Sequence, residues 1–380
     1  MKKIIIFCLI SLCFFNVSAD ELVSNAKAAI LIDPDSKKIL YEKNIHDELS
    51  IASLTKMMGL ILIFEKIDAG EVKYSDKVIA SKNAASMGGS QIWLTEGEEL
   101  TVDELLKGII MASANDGIVA MAEYIGGSEE EFVKMMNEKS KELNLLHTHF
   151  KNPTGLDEKG HYSSAYDLAI IASELMKHKD VFRYTTLYED YLRKDTDNKF
   201  WLVNTNRLLK SYKGVDGLKT GMTDNAGYCM AVTAKRDNMR ILAIVLGEKE
   251  GKIRNIETAN LLDYGFNNYE MVTIKNKNEK IGEITFDKSV PNKIDITLDE
   301  DICVIHKKGE EKKKYKSEVK LKNLYLPIKK DDEIGKLLIK DNNEVIKTII
   351  LKSKQEMIKR SFLDLWQSVL KSLFTGDLVG

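Results

Sequence analysis

Cysteine is scarce in this chain, with only four in 380 residues. Two of them, Cys8 and Cys13, fall in an apolar N-terminal stretch, so only Cys229 and Cys303 remain for the rest of the chain. These two lie in different predicted domains, and we therefore expect two buried thiols rather than a disulfide. The sequence does not predict a disulfide framework.

An excess of charge of one sign is also missing. The 56 Lys and Arg residues nearly balance the 58 Asp and Glu residues, which leaves a net charge of -2 and argues against nucleic acid as a partner. His147 and His149 form a close histidine pair, but no suitably spaced third ligand accompanies them. Since a zinc site needs at least three protein ligands, we predict no metal, and we expect no cofactor.

The N-terminal apolar run, residues 4–15, is too short to cross a membrane, because a spanning helix needs about 20 apolar residues. Two lysines precede this run, and a small-residue cleavage site at residues 17–19 follows it. This is the pattern of a secretory signal peptide. We predict a signal peptide over residues 1–19 and export of the chain that begins at Asp20.

Three short motifs occur in one order along the chain: Ser53-Leu54-Thr55-Lys56, Ser113-Ala114-Asn115 and Lys219-Thr220-Gly221. Each motif alone is weak, and Ser-x-x-Lys recurs elsewhere in this chain. Among those matches, Ser53 opens an internal apolar pattern over residues 53–66 with the period of a helix. Ser53 should therefore lie near a helix N-terminus, where unpaired backbone N–H groups favour negative charge on an attacked carbonyl oxygen.

Lys56 follows Ser53 by three residues and returns to the same helix face. A lysine can accept the serine proton only when it is neutral, so its pKa must fall well below the usual value of about 10.4. Burial and a second cation would lower this pKa, and Lys219 is the candidate cation. Simpler alternatives exist for each motif: a helix cap at Ser53, loop polar groups at Ser113 and Asn115, and a turn before a strand at Lys219-Thr220-Gly221.

With these motifs, the chain resembles the low-molecular-mass penicillin-binding proteins, which are serine-type D-alanyl-D-alanine carboxypeptidases. Longer blocks extend the resemblance over roughly residues 25–265: residues 52–57, 114–116, 152–156, 162–168 and 214–221. The resemblance implies an α+β penicillin-recognising domain, in which an antiparallel sheet packs on a helical cluster. Alternating strand and helix patterns agree with this architecture.

The resemblance also implies a covalent reaction at the peptide bond between two terminal D-alanines of a peptidoglycan stem peptide. Ser53 would be the nucleophile and Lys56 its general base. Ser113 would relay a proton to the leaving amine, and Asn115 would orient Lys56 and bind the substrate amide. β-Lactams would mimic the substrate and acylate the nucleophile.

The third motif would bind the substrate. Lys219 and Thr220 would meet its terminal carboxylate, and Gly221 would let a strand backbone approach it closely. The backbone N–H of Met222 would form the oxyanion hole with that of the nucleophile. Arg207 is a further candidate for binding the carboxylate, although it does not fall securely on the family position; its alternative is a solvated loop charge.

Composition divides the chain beyond the signal peptide into three parts. Residues 20–266 carry the motifs and form the predicted catalytic domain. Residues 267–352 show short, lysine-rich strands of period two, which predict a small β-sandwich. Residues 353–380 carry an apolar stripe at helical spacing, and we expect an amphipathic helix on the outer face of the cytoplasmic membrane. Packing of this helix on the protein itself is the alternative.

Other functions use similar residues. A D,D-endopeptidase that cuts peptidoglycan crosslinks would differ only in the shape of its pocket. A class A β-lactamase would need a glutamate to deacylate penicillin, and no Glu-x-x-x-Asn block occurs around residues 152–167. A non-enzymatic penicillin-binding scaffold is disfavoured because all three motifs are intact.

Overall fold

The structure is a computed structural model that describes residues 22–311, 313–361 and 366. It divides into two compact units between Asn267 and Asn268. The predicted signal peptide, residues 1–19, and most of the predicted C-terminal helix lie outside the described residues. Within the described part, none of the helices is both long enough and apolar enough to span a bilayer.

The first unit is built on an antiparallel sheet in which the N-terminal hairpin pairs with the last strand. Its strands are β1 Ala28–Ile32, β2 Ile39–Lys43, β3 Lys77–Ile79, β4 Glu99–Thr101, β5 Glu189–Leu192, β6 Phe200–Val203, β7 Val215–Thr223, β8 Gly227–Arg236 and β9 Met239–Glu248. The main sheet has the order β2-β1-β9-β8-β7, while β3 pairs with β4 and β5 with β6. The sequence predicts a hairpin of residues 28–32 and 39–41 and later strands over residues 228–233 and 240–246, and the structure confirms all of these.

Helices cover this sheet and form the core with it. They are α1 Lys56–Asp68, α2 Lys82–Ala85, α3 Val102–Met111, α4 Asn115–Gly126, α5 Glu129–Glu142, α6 Ala165–Leu175, α7 Phe182–Thr185, α8 Leu208–Ser211 and α9 Gly251–Asn268. Strand β1 is buried along its whole length, because Ile30 and Ile32 face the helical cluster while Leu31 lies against Gly265 of α9.

Helix α1 runs through the middle of this core. The sequence pattern predicted burial on one side only, and that prediction is wrong, because residues 56–64 are all buried. Met58, Leu62 and Ile63 lie outside the predicted stripe and are buried as well. The predicted stripe consists of Met57, Leu60, Ile61 and Phe64. Lys56 opens this helix and is thereby carried into the interior.

The sequence predicts a helix over residues 102–111 with one buried stripe. Helix α3 has these bounds, and its buried side chains include that stripe, Leu105, Leu106, Ile109 and Ile110. It begins with a capping box, in which the Thr101 hydroxyl accepts from the Glu104 N–H at 3.2 Å and the Glu104 carboxylate accepts from the Thr101 N–H at 2.9 Å. A short connection between α3 and α4, with Ser113 at a φ of 63°, places Asn115 as the first residue of α4.

The second unit consists of short strands around its own apolar core. They are β10 Tyr269–Lys275, β11 Lys280–Thr285, β12 Ser289–Val290, β13 Lys293–Thr297, β14 Ile302–Lys307, β15 Lys316–Leu321, β16 Glu333–Asp341, β17 Glu344–Lys352 and β18 Ile358–Lys359. The pairs are β10-β14, β11-β13 and β12-β18, and β15-β16-β17 form a three-stranded sheet. Strand β16, at the centre of that sheet, was not predicted.

The end of this unit differs from the prediction. Ile358, the first residue of the predicted helical stripe, lies in β18 and pairs with Val290. The unit therefore extends beyond the predicted boundary at residue 352, and a helix cannot begin at residue 353. Cys229 and Cys303 are both buried and neither forms a disulfide, as expected.

Candidate active site

Ser53 lies in a 3-10 turn, Ala52–Thr55, which leads directly into α1. Its predicted position at a helix N-terminus is confirmed. The residue before it, Ala52, has a φ of 49°, a conformation that is costly for a residue with a Cβ. The Thr55 hydroxyl donates to the Ala52 carbonyl at 2.8 Å and holds this turn.

Lys56 meets three oxygen atoms inside the protein. Its Nζ lies 2.9 Å from Ser53 Oγ, 2.7 Å from Asn115 Oδ1 and 2.7 Å from the Thr154 carbonyl oxygen. The amide and backbone oxygens can only accept hydrogen bonds. A neutral amine therefore gives its two hydrogens to them and turns its lone pair towards the Ser53 hydroxyl.

Electrostatics favours this neutral amine. Complete burial lowers the pKa of Lys56 well below its usual value, and the nearby charge of Lys219 lowers it further. The carboxylate of Asp116 acts in the opposite direction but is the smaller influence. A buried amine with a depressed pKa is suited to accept a proton from a serine.

The second motif supplies one paired and one unpaired group. Asn115 accepts from Lys56 through Oδ1 and donates from Nδ2 to the Gly88 carbonyl at 2.7 Å, so its amide orientation is fixed. The Ser113 hydroxyl is buried and has no hydrogen-bond partner among the described residues. It is thus available to a bound molecule.

Asp116 follows the second motif directly and holds it in place, a role that the sequence did not predict. Its buried carboxylate accepts from the backbone N–H groups of Ile92 at 3.1 Å, Leu94 at 3.0 Å and Gly117 at 2.8 Å. These bonds tie the preceding loop to the start of α4. The neighbouring Asn115 is held in place by the same connection, since its N–H donates to the Ser90 carbonyl at 2.7 Å.

The third motif lies inside strand β7, not in a turn before a strand. Lys219 is buried and donates to the Thr220 carbonyl at 2.9 Å. Burial, and then the charge of Arg254 on α9, lower the pKa of Lys219 to about 7. Thr220 donates through its hydroxyl to that of Thr205 at 2.7 Å. Arg254 was missed because only the tertiary fold brings its charge near Lys219.

Gly221 brings the backbone of β7 against the nucleophile turn. A Cβ at this position would lie 2.9 Å from both the Ala52 Cβ and the Ser53 nitrogen, closer than side chains pack. Glycine is therefore required here for a reason that the sequence did not predict, and the predicted close approach of Gly221 to a substrate stays a prediction. The Met222 side chain is 55% exposed, and its role through the backbone stays a prediction.

The loop of residues 152–157 contacts Lys56, the Ser53 turn and strand β7. The Thr154 carbonyl accepts from the base, as described above. Gly155 has a φ of 82°, and a Cβ there would lie 1.9 Å from the Ala52 carbonyl oxygen. Asp157 accepts from the Thr223 hydroxyl of β7 at 2.7 Å. This loop joins the nucleophile turn to β7.

Arg207 does not belong to this hydrogen-bonded cluster. Its side chain is exposed, and Nη1 donates to the Tyr188 hydroxyl at 2.7 Å. In the described residues there is no group of three or more His, Cys, Asp or Glu side chains arranged to hold a metal. Instead, His147 Nδ1 lies 3.3 Å from Glu48 Oε1, and His149 Nδ1 lies 2.8 Å from the Gly160 carbonyl oxygen.

Comparisons with known proteins agree with this fold and site. The family described as D-alanyl-D-alanine carboxypeptidase matches residues 15–250, and the family described as Penicillin-binding protein 5, C-terminal domain, matches residues 269–359. The fold is that of the penicillin-binding proteins. The chain belongs to the D-alanyl-D-alanine carboxypeptidase family of low-molecular-mass penicillin-binding proteins.

Individual relatives extend over both units. The chain is 52% identical over 327 residues to the D-alanyl-D-alanine carboxypeptidase DacF of Bacillus subtilis, which covers 86% of this chain and 84% of that one. The structure of penicillin-binding protein 5 from Haemophilus influenzae has a TM-score of 0.68 and 29% identity, and covers 88% of this chain and 98% of that one. The structure of penicillin-binding protein D2 from Listeria monocytogenes in the ampicillin-bound form has a TM-score of 0.58 and 32% identity. It covers 64% of this chain and 98% of that one.

Proposed function

We propose that this enzyme removes the terminal D-alanine from peptidoglycan stem pentapeptides through an acyl-enzyme on Ser53, and thereby limits crosslinking of the wall. The observation that carries this proposal is the environment of Lys56. Two oxygens that can only accept hydrogen bonds hold its amine, and burial beside Lys219 disfavours its charge. The remaining lone pair points to the serine.

In the acylation step, Lys56 takes the proton of Ser53 while Oγ attacks the carbonyl carbon between the two D-alanines. Negative charge on the carbonyl oxygen would be stabilised by the backbone N–H groups of Ser53 and Met222. The C–N bond then breaks, and the proton passes through the Ser113 hydroxyl to the leaving amine. Water hydrolyses the ester, and the serine recovers its proton.

Lys219 and Arg254 give the site its preference for a terminal carboxylate. Both cations are buried, and among the described residues neither forms a hydrogen bond or an ion pair with a carboxylate. Burial lowers the pKa of each. An arriving carboxylate would supply the opposite charge and favour the protonated lysine. The Thr220 hydroxyl would turn its hydrogen from Thr205 to the bound carboxylate. This arrangement favours cleavage at the end of a peptide chain.

The location follows from the sequence patterns at both ends. The N-terminal pattern of residues 1–19 supports export, and the amphipathic pattern supports attachment to the outer face of the cytoplasmic membrane. The structure narrows the second proposal, because β18 ends at Lys359. We expect a chain that ends at Ser361 to keep its enzymatic activity and to lose binding to lipid vesicles.

The direct test is release of free D-alanine from a stem pentapeptide by a protein without its signal peptide. We expect penicillin to inhibit release, and Ser53→Ala to abolish both release and covalent labelling by penicillin. Labelling that persists in Ser53→Ala would contradict the assignment of the nucleophile. Cleavage of a crosslinked peptide dimer without D-alanine release would identify an endopeptidase instead.

A further inference from the structure

His161 lies beneath the nucleophile turn and is only 6% exposed. Its Nδ1 accepts from the Lys151 backbone N–H at 3.1 Å, so Nδ1 carries no hydrogen. The ring proton must then be on Nε2, which lies 2.7 Å from the Thr55 hydroxyl oxygen. Since that hydroxyl donates to the Ala52 carbonyl, it accepts from His161. The backbone thereby determines the tautomer of the ring.

This series of hydrogen bonds ends next to the nucleophile. The Ala52 carbonyl belongs to the peptide unit that enters Ser53, and Ala52 has the unusual φ of 49°. The Thr55 hydroxyl is the group that holds this carbonyl from inside the turn, and it is itself completely buried. His161 supplies the one donor that orients the hydroxyl towards the carbonyl.

The same histidine is attached to the segment that holds the base. Lys151, which donates to its ring, stands three residues before Thr154, whose carbonyl accepts from Lys56. The Phe150 ring packs edge-on against the imidazole, with 5.8 Å between ring centroids. A movement of this ring would therefore affect both the serine and the lysine.

We propose that His161 is a positioning residue for acyl transfer, which sets the distance between Ser53 Oγ and Lys56 Nζ through Thr55 on one side and the residue 150–154 segment on the other. This inference rests on the proposed roles of that serine and lysine. His161 touches neither the reacting atoms nor the substrate, so its effect on the rate is indirect. An error of about 1 Å in the position of a nucleophile costs about 100-fold in rate.

The ring is suited to this role because it stays neutral. Burial lowers the pKa of His161 to about 4. The carboxylates of Glu158 and Asp157 face it and oppose this shift. At neutral pH the ring therefore adds no charge beside Lys56, whose own pKa must remain low.

The test is the second-order rate constant for acylation by a fluorescent penicillin, measured per labelled site. We expect His161→Ala and Thr55→Val each to lower it by about 10- to 100-fold. The double variant should be no slower than the slower single variant, because both changes break one series of bonds. His161→Gln, which keeps a donor near the Nε2 position, should recover part of the rate. His149→Ala is the matched control and should react like the wild type.

A histidine that only stabilises the fold would lower the melting temperature and the labelled fraction, while each labelled site reacted at the wild-type rate. That result, or losses that multiply in the double variant, would overturn the proposal. If His161→Ala does not fold, the acylation rates of Thr55→Val and His161→Gln still distinguish a positioning role from a purely structural one. A wild type that binds penicillin but releases no D-alanine would refute the carboxypeptidase function and leave this test intact.

Discussion

The two units of this protein treat ionisable side chains in opposite ways. The first unit buries Lys56, Asp116, Lys219, Glu248 and Arg254, among others. In the described residues of the second unit, no lysine, arginine, aspartate or glutamate is buried, and the buried polar residues are Ser289, His306 and Ser353.

Burial of a charge is costly unless the site supplies partners. The second unit avoids this cost by keeping its many lysines at the surface, where pairs such as Lys293 and Glu283, at 2.7 Å, remain about half exposed. The first unit accepts the cost around Ser53 because a buried amine has the depressed pKa that the reaction needs. Buried ionisable side chains therefore distinguish the unit that carries the proposed active site.

The strongest test of this difference between the units is to replace one buried lysine of the first unit and one surface lysine of the second. Lys56→Met keeps the length of the side chain but removes the proposed base, and we expect the acylation rate to fall by about 100- to 10,000-fold. Lys340→Met, in strand β16, removes a lysine that pairs with Glu318 at the surface and should leave the rate unchanged. The measurement is acylation by fluorescent penicillin. Equal losses in both variants would remove the distinction between the units.

A smaller effect is expected from one added methyl group in a strand of each unit. Gly221→Ala would place Cβ 2.9 Å from the Ser53 nitrogen and force β7 away from the nucleophile turn, so we expect a loss of about tenfold to 100-fold in D-alanine release. Gly282→Ala in β11 would meet Ile296 at an ordinary 3.5 Å and should have no effect on release. Unchanged release by Gly221→Ala would show that the two backbones need not approach.

The smallest effect concerns stability and pH. Burial and the adjacent Glu257 raise the pKa of Glu248 to about 8 from 4.5. The folded state then binds more protons than the unfolded state between these values, so the free energy of unfolding should fall as pH rises from 4.5 to about 8. Glu248→Gln should reduce this dependence in urea unfolding.

Glu333→Gln in the second unit is the control for that experiment. Its partner Lys322 lowers the pKa of Glu333, so its contribution to stability is lost only as pH falls below the usual glutamate range. The variant should keep the wild-type dependence above pH 4.5. A Glu248→Gln protein with the same dependence as the wild type would show that the buried carboxyl is not responsible.

The sequence predicted those parts of the site that side chains identify. Ser53, Lys56 and Asn115 form one hydrogen-bonded group, as the first two motifs predicted. The close approach of Gly221 to the Ser53 turn was not predicted. The contribution of Thr154 could not be predicted, since any residue provides a backbone carbonyl. Arg254 was hidden for another reason: its charge comes near Lys219 only in the folded chain, where the guanidinium lies over the ring of Tyr228 in the neighbouring strand β8.

The fold shows the same limit. Predictions succeeded where the hydrophobic periodicity and a capping residue point to the same helix. In α3, the Thr101 cap marks the start and the apolar stripe marks the extent of the helix. Strand β16 was missed because the consecutive apolar residues Leu337, Leu338 and Ile339 interrupt the alternation that marks a half-exposed strand. The late strand β18 is only two residues long, too short for any periodicity.

The three oxygens around Lys56 have a consequence for the timing of the reaction. When the amine takes the serine proton it becomes an ammonium with three hydrogens, and three acceptors already stand at 2.7 to 2.9 Å. The geometry before the transfer therefore also suits the state after it, so that only a proton has to move and little reorganisation is required. We expect the turnover of this enzyme to be limited by a step other than the activation of its nucleophile.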